Sequence, residues 1–397
     1  MQSRQLGASK IEVNRLSVID RTLPKRNAIY LHQRLRFCYS VLHLHREASP
    51  KKDETPLHTT TPPVPPKNWI KRLAPYKEAD NRRSFFEIAV TLIPFAALWY
   101  ASLLLYQAHY LLAFLAIIPA AGLMVRLFII QHDCGHGSTF SSTQMNDWAG
   151  RAIGVLTLTP YDYWRHSHAM HHASSGNLDK RGFGDIDTLT VEEYQALSWG
   201  GRLEYRLYRH PIVMFGIGPA YLFIFKHRLP IGAMNKGHVP WTSTLGTNAG
   251  ILALSLILIY LAGWQAFLLI QVPIVVIGAS IGVWLFYVQH QFDDTHWERA
   301  PDWQRENAAL HGSSFYDLPK PLMWMTGYIG IHHVHHLSSR IPFHRLPKIL
   351  RDYPELKTIG RLTFWQSLKC VPLALWDEQA KRLVSFRELR RRQAVAA

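Results

Sequence analysis

Apolar residues along this chain are gathered into a few long blocks, and those blocks predict the architecture. From Phe86 to Tyr106 only Glu87 and a few small polar side chains interrupt the run. At 1.5 Å per residue such a helix spans about 31 Å, the thickness of a bilayer core. A second run, Tyr110 to Ile130, follows after only Gln107, Ala108 and His109, which predicts a tight membrane hairpin. A second pair, Ala249 to Ile270 and Val272 to Val288, is separated by Gln271 alone and contains no charged residue. The expected spans are therefore 86–106, 110–130, 249–270 and 272–288. The stretch Pro211 to Phe225 is apolar but too short to cross, so it is expected to be re-entrant or interfacial. A soluble helical core is the competing explanation for the four runs, but blocks this long without charges are hard to reconcile with water.

The flanks are polar and basic. Residues 1–80 carry many cations and the Pro-rich stretch Thr61 to Lys67, which reads as an extended, solvated linker. A disordered arm, or an over-extended start, is expected there rather than a targeting peptide, since no secretory apolar region is present. Residues 81–360 form the expected membrane domain and 361–397 a basic C-terminal cytoplasmic tail.

Composition sharpens this picture. Of 397 residues 48% are apolar, so a core is affordable, and three dispersed cysteines (Cys38, Cys134, Cys370) cannot build a disulfide framework. The mean hydropathy of −0.06 describes neither the blocks nor the flanks. The net charge of +16 raises nucleic acid or an anionic membrane surface as a partner. Its distribution favours the membrane: 17 Lys and Arg precede the first run, 10 lie between residues 137 and 248, and 16 follow residue 290. The hairpin tips have none, so the positive-inside rule puts the N-terminus, central loop and C-terminal region on the cytoplasmic side. Arg126 alone lies within a run. It either snorkels to headgroups or lines a buried polar site, and the nearness of the first histidine cluster favours the latter.

There are 22 histidines, and their spacing carries chemical information. His132 and His136 stand at i and i+4 at the end of the second run, on one helix face. His168, His171 and His172 stand at i, i+3 and i+4 in the central loop, with His166 pointing elsewhere. His332, His335 and His336 repeat that pattern after the fourth run, with His333 off the face. Eight same-face imidazoles exceed the four ligands of one zinc ion, so two metal ions are implied, while imidazole alone does not choose among Zn, Cu, Fe and Ni. His290, at the end of the fourth run, is the candidate ninth ligand, with His296 behind it. Cys134 is off the His132/His136 face and reads as a packing residue. The isolated histidines, His210, His227, His238 and His344 among them, read as solvated or headgroup-facing. Asp133, Asp162, Asn177, Asp185 and Asp187 are polar groups near the clusters that could orient imidazoles by hydrogen bonds.

In these motifs the chain resembles the integral-membrane fatty acid desaturases. The resemblance rests on HDCGH after the second span, HxxHH in the central loop and HHVHH after the fourth, in that order over roughly residues 80–360. The stretches GFGDIDTLTVEEY, YVQHQFDD, GSSFYDLPK and GIHHVHHLSSRIPFHRL look like the bacterial acyl-lipid branch, close to its Δ12-type members. The implied fold is all-α: four transmembrane helices in two hairpins, capped by a cytoplasmic helical domain carrying three histidine boxes, in a bacterial inner membrane. The implied cofactor is a non-haem di-iron centre held by His132, His136, His168, His171, His172, His332, His335 and His336, with His290 as the extra ligand. The implied reaction uses O2 and two electrons from a separate donor to remove hydrogen from two adjacent methylenes of a lipid-bound acyl chain, leaving a cis double bond. No HPGG-type haem motif is present, so the electrons are expected from another protein, by family ferredoxin. The substrate implies a narrow apolar tunnel, for which Trp164, Phe140, Trp284, Trp324 and Tyr328 are wall candidates.

Two other readings compete. A membrane di-iron hydroxylase or ketolase acting on an alkane, sterol or carotenoid would use the same ligands. A His-rich membrane metal-binding or transport protein would place its ligands within the spans near the midplane, whereas these lie outside them. Nucleic-acid binding lacks a compact basic domain.

Overall fold

The computed structural model describes residues 68–182 and 184–396. The Pro-rich stretch, Cys38 and the four histidines before residue 60 lie outside the described residues. Four long helices form the frame: α1 (Asn81–Ala108), α2 (Tyr110–Gly135), α6 (Val239–Ala262) and α7 (Trp264–His290), all long and apolar enough to cross a membrane. Asp80 caps α1 by accepting from Arg83 N at 3.1 Å. His109 alone separates α1 from α2, and its Nδ1 accepts from Leu111 N at 3.2 Å. In the most apolar part of each helix, α2 is 72% buried and α6 only 6%. Helix α2 is thus the central post, while α6 turns Leu252, Leu256 and Ile257 outward. An apolar face this bare, on a helix long enough to span, suits contact with lipid.

The second hairpin turns earlier than the sequence predicts. Its break is Gly263, not Gln271, so Trp264–Ile270 belongs to the fourth helix rather than the third, and the third begins ten residues before Ala249. Gly263 has φ 83° and ψ 151°, backbone that only glycine adopts readily. Gln271 stays helical because its side-chain oxygen accepts from Trp99 Nε1 at 3.0 Å, which satisfies the polar group inside the frame. Each helix also runs past its predicted end on the side bearing the histidines.

Between and after the hairpins lies a cap. It contains α3 (Thr143–Leu156), α4 (Tyr161–Ser174), α5 (Gly218–Ile224), α8 (His332–Leu337), α9 (Phe364–Ser367) and α10 (Phe386–Ala396). The helical class holds, with two small sheets added. Strands β2 (Phe315–Asp317) and β3 (Arg361–Thr363) pair in parallel. Strand β4 (Leu373–Asp377) is parallel to β1 (Leu189–Thr190) and antiparallel to β5 (Arg382–Ser385). The apolar segment Pro211–Phe225 contains a π turn over Val213–Ile217 that runs directly into α5.

Two expected appendages are integral parts of the body. The expected tail 361–397 contains a packed strand: every residue of β4 is buried, and Trp376 stacks on Trp297 with centroids 5.5 Å apart. Its charge count concealed the short apolar run that makes this strand. The end of the expected N-terminal arm is likewise packed. Trp69 and Leu73 are fully buried, and the Arg72 guanidinium lies 4.7 Å from the Trp69 ring centre and 4.6 Å from that of Tyr353. Two large apolar side chains eight to twelve residues before α1 were sufficient to anchor that segment.

Candidate metal centre

Helix α2 continues through its last turn beyond the apolar run, which carries His132 and His136 out on one face. Helix α4 presents His168, His171 and His172, the last residue of α7 is His290, and α8 presents His332, His335 and His336. Their ring nitrogens converge in two groups. His132, His136, His168, His172 and His335 form one; His171, His290, His332 and His336 form the other. Within each group the ligand atoms lie within 4.8 Å of one another. In the first, successive Nε2 atoms are 3.3 Å (His132–His136), 3.1 Å (His136–His168), 3.0 Å (His168–His172) and 3.1 Å (His172–His335) apart. In the second they are 3.2 Å (His171–His290), 3.0 Å (His290–His332) and 3.0 Å (His332–His336) apart.

The spacing motifs thus cross over. In α4 the i and i+4 histidines join the first group and the i+3 histidine joins the second. In α8 the i and i+4 histidines join the second, and His335 alone reaches the first.

These residues fit metal ions. His171 Nδ1 donates to Asp185, and His290 Nδ1 donates to the Gly312 carbonyl at 3.2 Å. Both Nε2 atoms therefore carry bare lone pairs facing each other, a repulsive contact that a shared cation relieves. At a metal–imidazole distance of about 2.1 Å, neighbouring ligand atoms stand roughly 3.0–3.4 Å apart, which matches the spacing found. Outside the spans, burial pushes His168, His172, His332, His335 and His336 well below the ordinary imidazole range, with like-charged neighbours adding to it. That holds the rings neutral, the form that ligates.

The groups around the ligands set their orientation. His132 Nδ1 donates to Asp133 Oδ1 at 3.1 Å, while Asp133 Oδ2 accepts from Phe343 N at 2.7 Å and so ties α2 to the loop after α8. Of the five polar candidates, Asp133 and Asp185 reach ligand rings. Asp162 instead pairs with Arg151 at 2.9 Å, Asn177 Oδ1 accepts from Asp179 N, and Asp187 N donates to Tyr208. Trp164 stacks on His168 with centroids 4.8 Å apart and an interplanar angle of 12°. Asp185→Asn is expected to weaken metal retention about 10- to 100-fold by removing the carboxylate that holds His171, measured as metal per chain after timed chelator exposure. Unchanged retention would show that Asp185 does not orient the ligand.

Several expected residues lie elsewhere. His166 is exposed, Cys134 is buried outside both groups, and His296 sits 3.9 Å from Glu298. His333 is buried with its Nε2 donating to the Leu356 carbonyl at 2.9 Å, which anchors α8 from behind. His210 and His238 are exposed as expected, but His227 and His344 are half-buried. Arg126 does line a buried polar site, though one built with α1 and not with the histidines: it is fully buried and pairs with Glu87 at 2.5 Å.

Beside His290 and Asp185 is a cavity of about 30 Å³, also lined by Asn177, Arg181, Gln291 and Trp297. That is room for one or two waters. None of the five tunnel-wall candidates lines it. Phe140 packs on Phe85, Trp284 Nε1 donates to Tyr316 Oη at 3.3 Å, the Trp324 ring lies under Arg126, and Tyr328 occupies left-handed backbone with φ 54°. The Gly312 carbonyl and the Phe286 ring, 5.1 Å from that of His171, are site groups the sequence reading missed. A backbone acceptor carries no side-chain signal, and Phe286 read as one more apolar residue of a span.

The family model described as Fatty acid desaturase matches residues 108–367. A "Fatty acid desaturase" of Bacillus subtilis is 46% identical over 82% of this chain and 92% of its own length. A Synechocystis protein described as "sn-1 acyl-lipid omega-3 desaturase (ferredoxin)" is 31% identical over 55% of this chain and 61% of its own. An Anabaena variabilis "sn-1 oleoyl-lipid 12-desaturase" is 24% identical over 75% of this chain and 83% of its own.

Proposed function

The chain belongs to the fatty acid desaturase family, a family of oxidoreductases, and on that premise we propose that it introduces a cis double bond into a lipid-bound acyl chain at two irons held by its nine clustered histidines. The observation that carries this reading is the pair of imidazole groups, buried except for the half-buried His136 and His168, meeting at the end of the spans. Five imidazoles in one group exceed what tetrahedral zinc takes and suit a metal of higher coordination number. His132, His136, His168, His172 and His335 would hold one ion and His171, His290, His332 and His336 the other. Bound there, the irons would supply O2 activation with two external electrons and two protons, removing one hydrogen from each of two adjacent methylenes and releasing two waters.

The chain's own residues bind, orient and seal. Asp133 and Asp185 hold their imidazoles with Nε2 inward, and Trp164 fixes the plane of His168 by stacking. Burial of the ligand rings keeps bulk water from the reacting carbons. No acid–base side chain is needed beyond this, since the cofactor carries the difficult chemistry.

The charge asymmetry across the hairpins supports a cytoplasmic catalytic face, in an inner membrane if the host is bacterial. A separate ferredoxin as donor, and an acyl-lipid as substrate, follow from what the cyanobacterial relative is described as using.

Expression in a bacterium lacking desaturases, followed by mass analysis of its lipid acyl chains, tests the reading. Loss of two hydrogens from a fraction of the chains is the expected result. Gain of one oxygen would overturn it in favour of a hydroxylase.

A further inference from the structure

The segment after β3 carries a cluster of bare aromatic and aliphatic side chains. Phe364 is 40%, Trp365 75% and Leu368 46% exposed, while Ser367 and Cys370 between and after them are buried. The inner side is bonded to the fourth span. Trp284 Nε1 donates to Tyr316 Oη, which lies 3.1 Å from Ser367 Oγ, and Tyr287 Oη donates to the Leu373 carbonyl at 2.8 Å, with the Cys370 carbonyl also 3.0 Å away.

The depth of that attachment follows from helix length. Trp264 and Trp284 are separated by a rise of about 30 Å, the thickness of the hydrocarbon core. A hydrocarbon core of that thickness puts the two tryptophans at its opposite faces, and His290 lies about 9 Å beyond the second. A segment bonded to Tyr287, and to Trp284 through Tyr316, is therefore at headgroup depth. The segment through the π turn and α5 is attached at the same level, with Phe215 against Trp284 and Tyr287 at centroid distances of 5.0 and 5.1 Å. It too leaves Ile217, Tyr221 and Phe225 outward. From Arg361 to Trp376 there is no acidic residue, and Lys369 is exposed beside Leu368, which suits an anionic headgroup layer.

We propose that Phe364, Trp365 and Leu368 insert into the lipid interface on the side bearing the histidines, forming with the outward face of residues 217–225 a collar at the end of the fourth span. The occupant of this apolar face is the leaflet itself. The collar fixes the height of the histidine-bearing cap above the hydrocarbon, and it does so whether or not the chain desaturates lipid.

The test uses the full chain in liposomes of zwitterionic and anionic phospholipid, in a Cys38→Ser background because Cys134 and Cys370 are buried. A nitroxide is attached at Trp365→Cys. The expected result is relaxation by dissolved oxygen exceeding that by a water-soluble nickel chelate, as for a label at Leu256→Cys on the lipid face of α6 and opposite to one at Lys381→Cys. Dominance of the nickel chelate would overturn the proposal. So would low access by both reagents, and a dipolar coupling between labels would then assign the face to a second copy of the chain. A label at Leu368→Cys gives the same reading if the Trp365 variant does not fold.

Discussion

On the proposed di-iron reading, His335→Ala is expected to lower product formation more than about 100-fold and to leave the purified protein with about one iron per chain in place of two. His335 is the only residue of α8 in the first imidazole group, with its Nε2 3.1 Å from that of His172, while its neighbours His332 and His336 serve the second. Its loss opens the first group and spares the second. The adjacent His333→Ala is the control, because His333 lies on the same short helix but bonds only the Leu356 carbonyl through its ring. That change is expected to cost about 1–3 kcal/mol of stability, from a buried carbonyl left unsatisfied, while both irons are retained. Metal analysis and lipid profiling of the two variants side by side separate ligation from packing. Two irons per chain in His335→Ala would remove it from the ligand set.

Glu87→Ala is expected to destabilise the fold by about 3–5 kcal/mol, read as a lowered midpoint of thermal unfolding in detergent. Arg126 is fully buried in α2, and Glu87 in α1 is 3% exposed. Besides the pair at 2.5 Å, the guanidinium donates to Thr91 Oγ1 at 3.1 Å and to the Trp324 carbonyl, and it lies 4.2 Å from the Trp324 ring centre. Removing the carboxylate leaves a charge in low dielectric whose remaining partners are dipoles. The double variant Glu87→Leu/Arg126→Met, which removes both charges and keeps apolar volume, is expected to recover most of that loss. A single variant as stable as the parent would show that the pair is already solvated.

The sequence made much of this legible. The apolar blocks gave four helices in two pairs, because lipid demands long charge-free runs and little else produces them. The i, i+3, i+4 spacing gave the histidines, because helix geometry puts such residues on one face. Where the reading slipped, a local choice was decided by distant partners. Gln271 looked like a hairpin tip until Trp99 satisfied it inside the frame, and the true turn fell at Gly263, whose backbone angle carries no hydropathy signal. Residues 371–376 looked like part of a tail until β1 and β5 gave the strand its neighbours.

By itself, then, the sequence determined which side chains could cross lipid and which could ligate metal, since both depend on residue type and on the fixed rise and periodicity of a helix. It did not determine which imidazole falls in which of the two groups. Helix spacing puts His168, His171 and His172 on one face, but that face looks onto both groups, and the crossing of α2, α4, α7 and α8 assigns His171 to one and its neighbours to the other. Orientation of the rings by Asp185 and the Gly312 carbonyl, and the pairing of Arg126 with Glu87, likewise depend on contacts between residues far apart in the chain, which only the packed tertiary structure brings together.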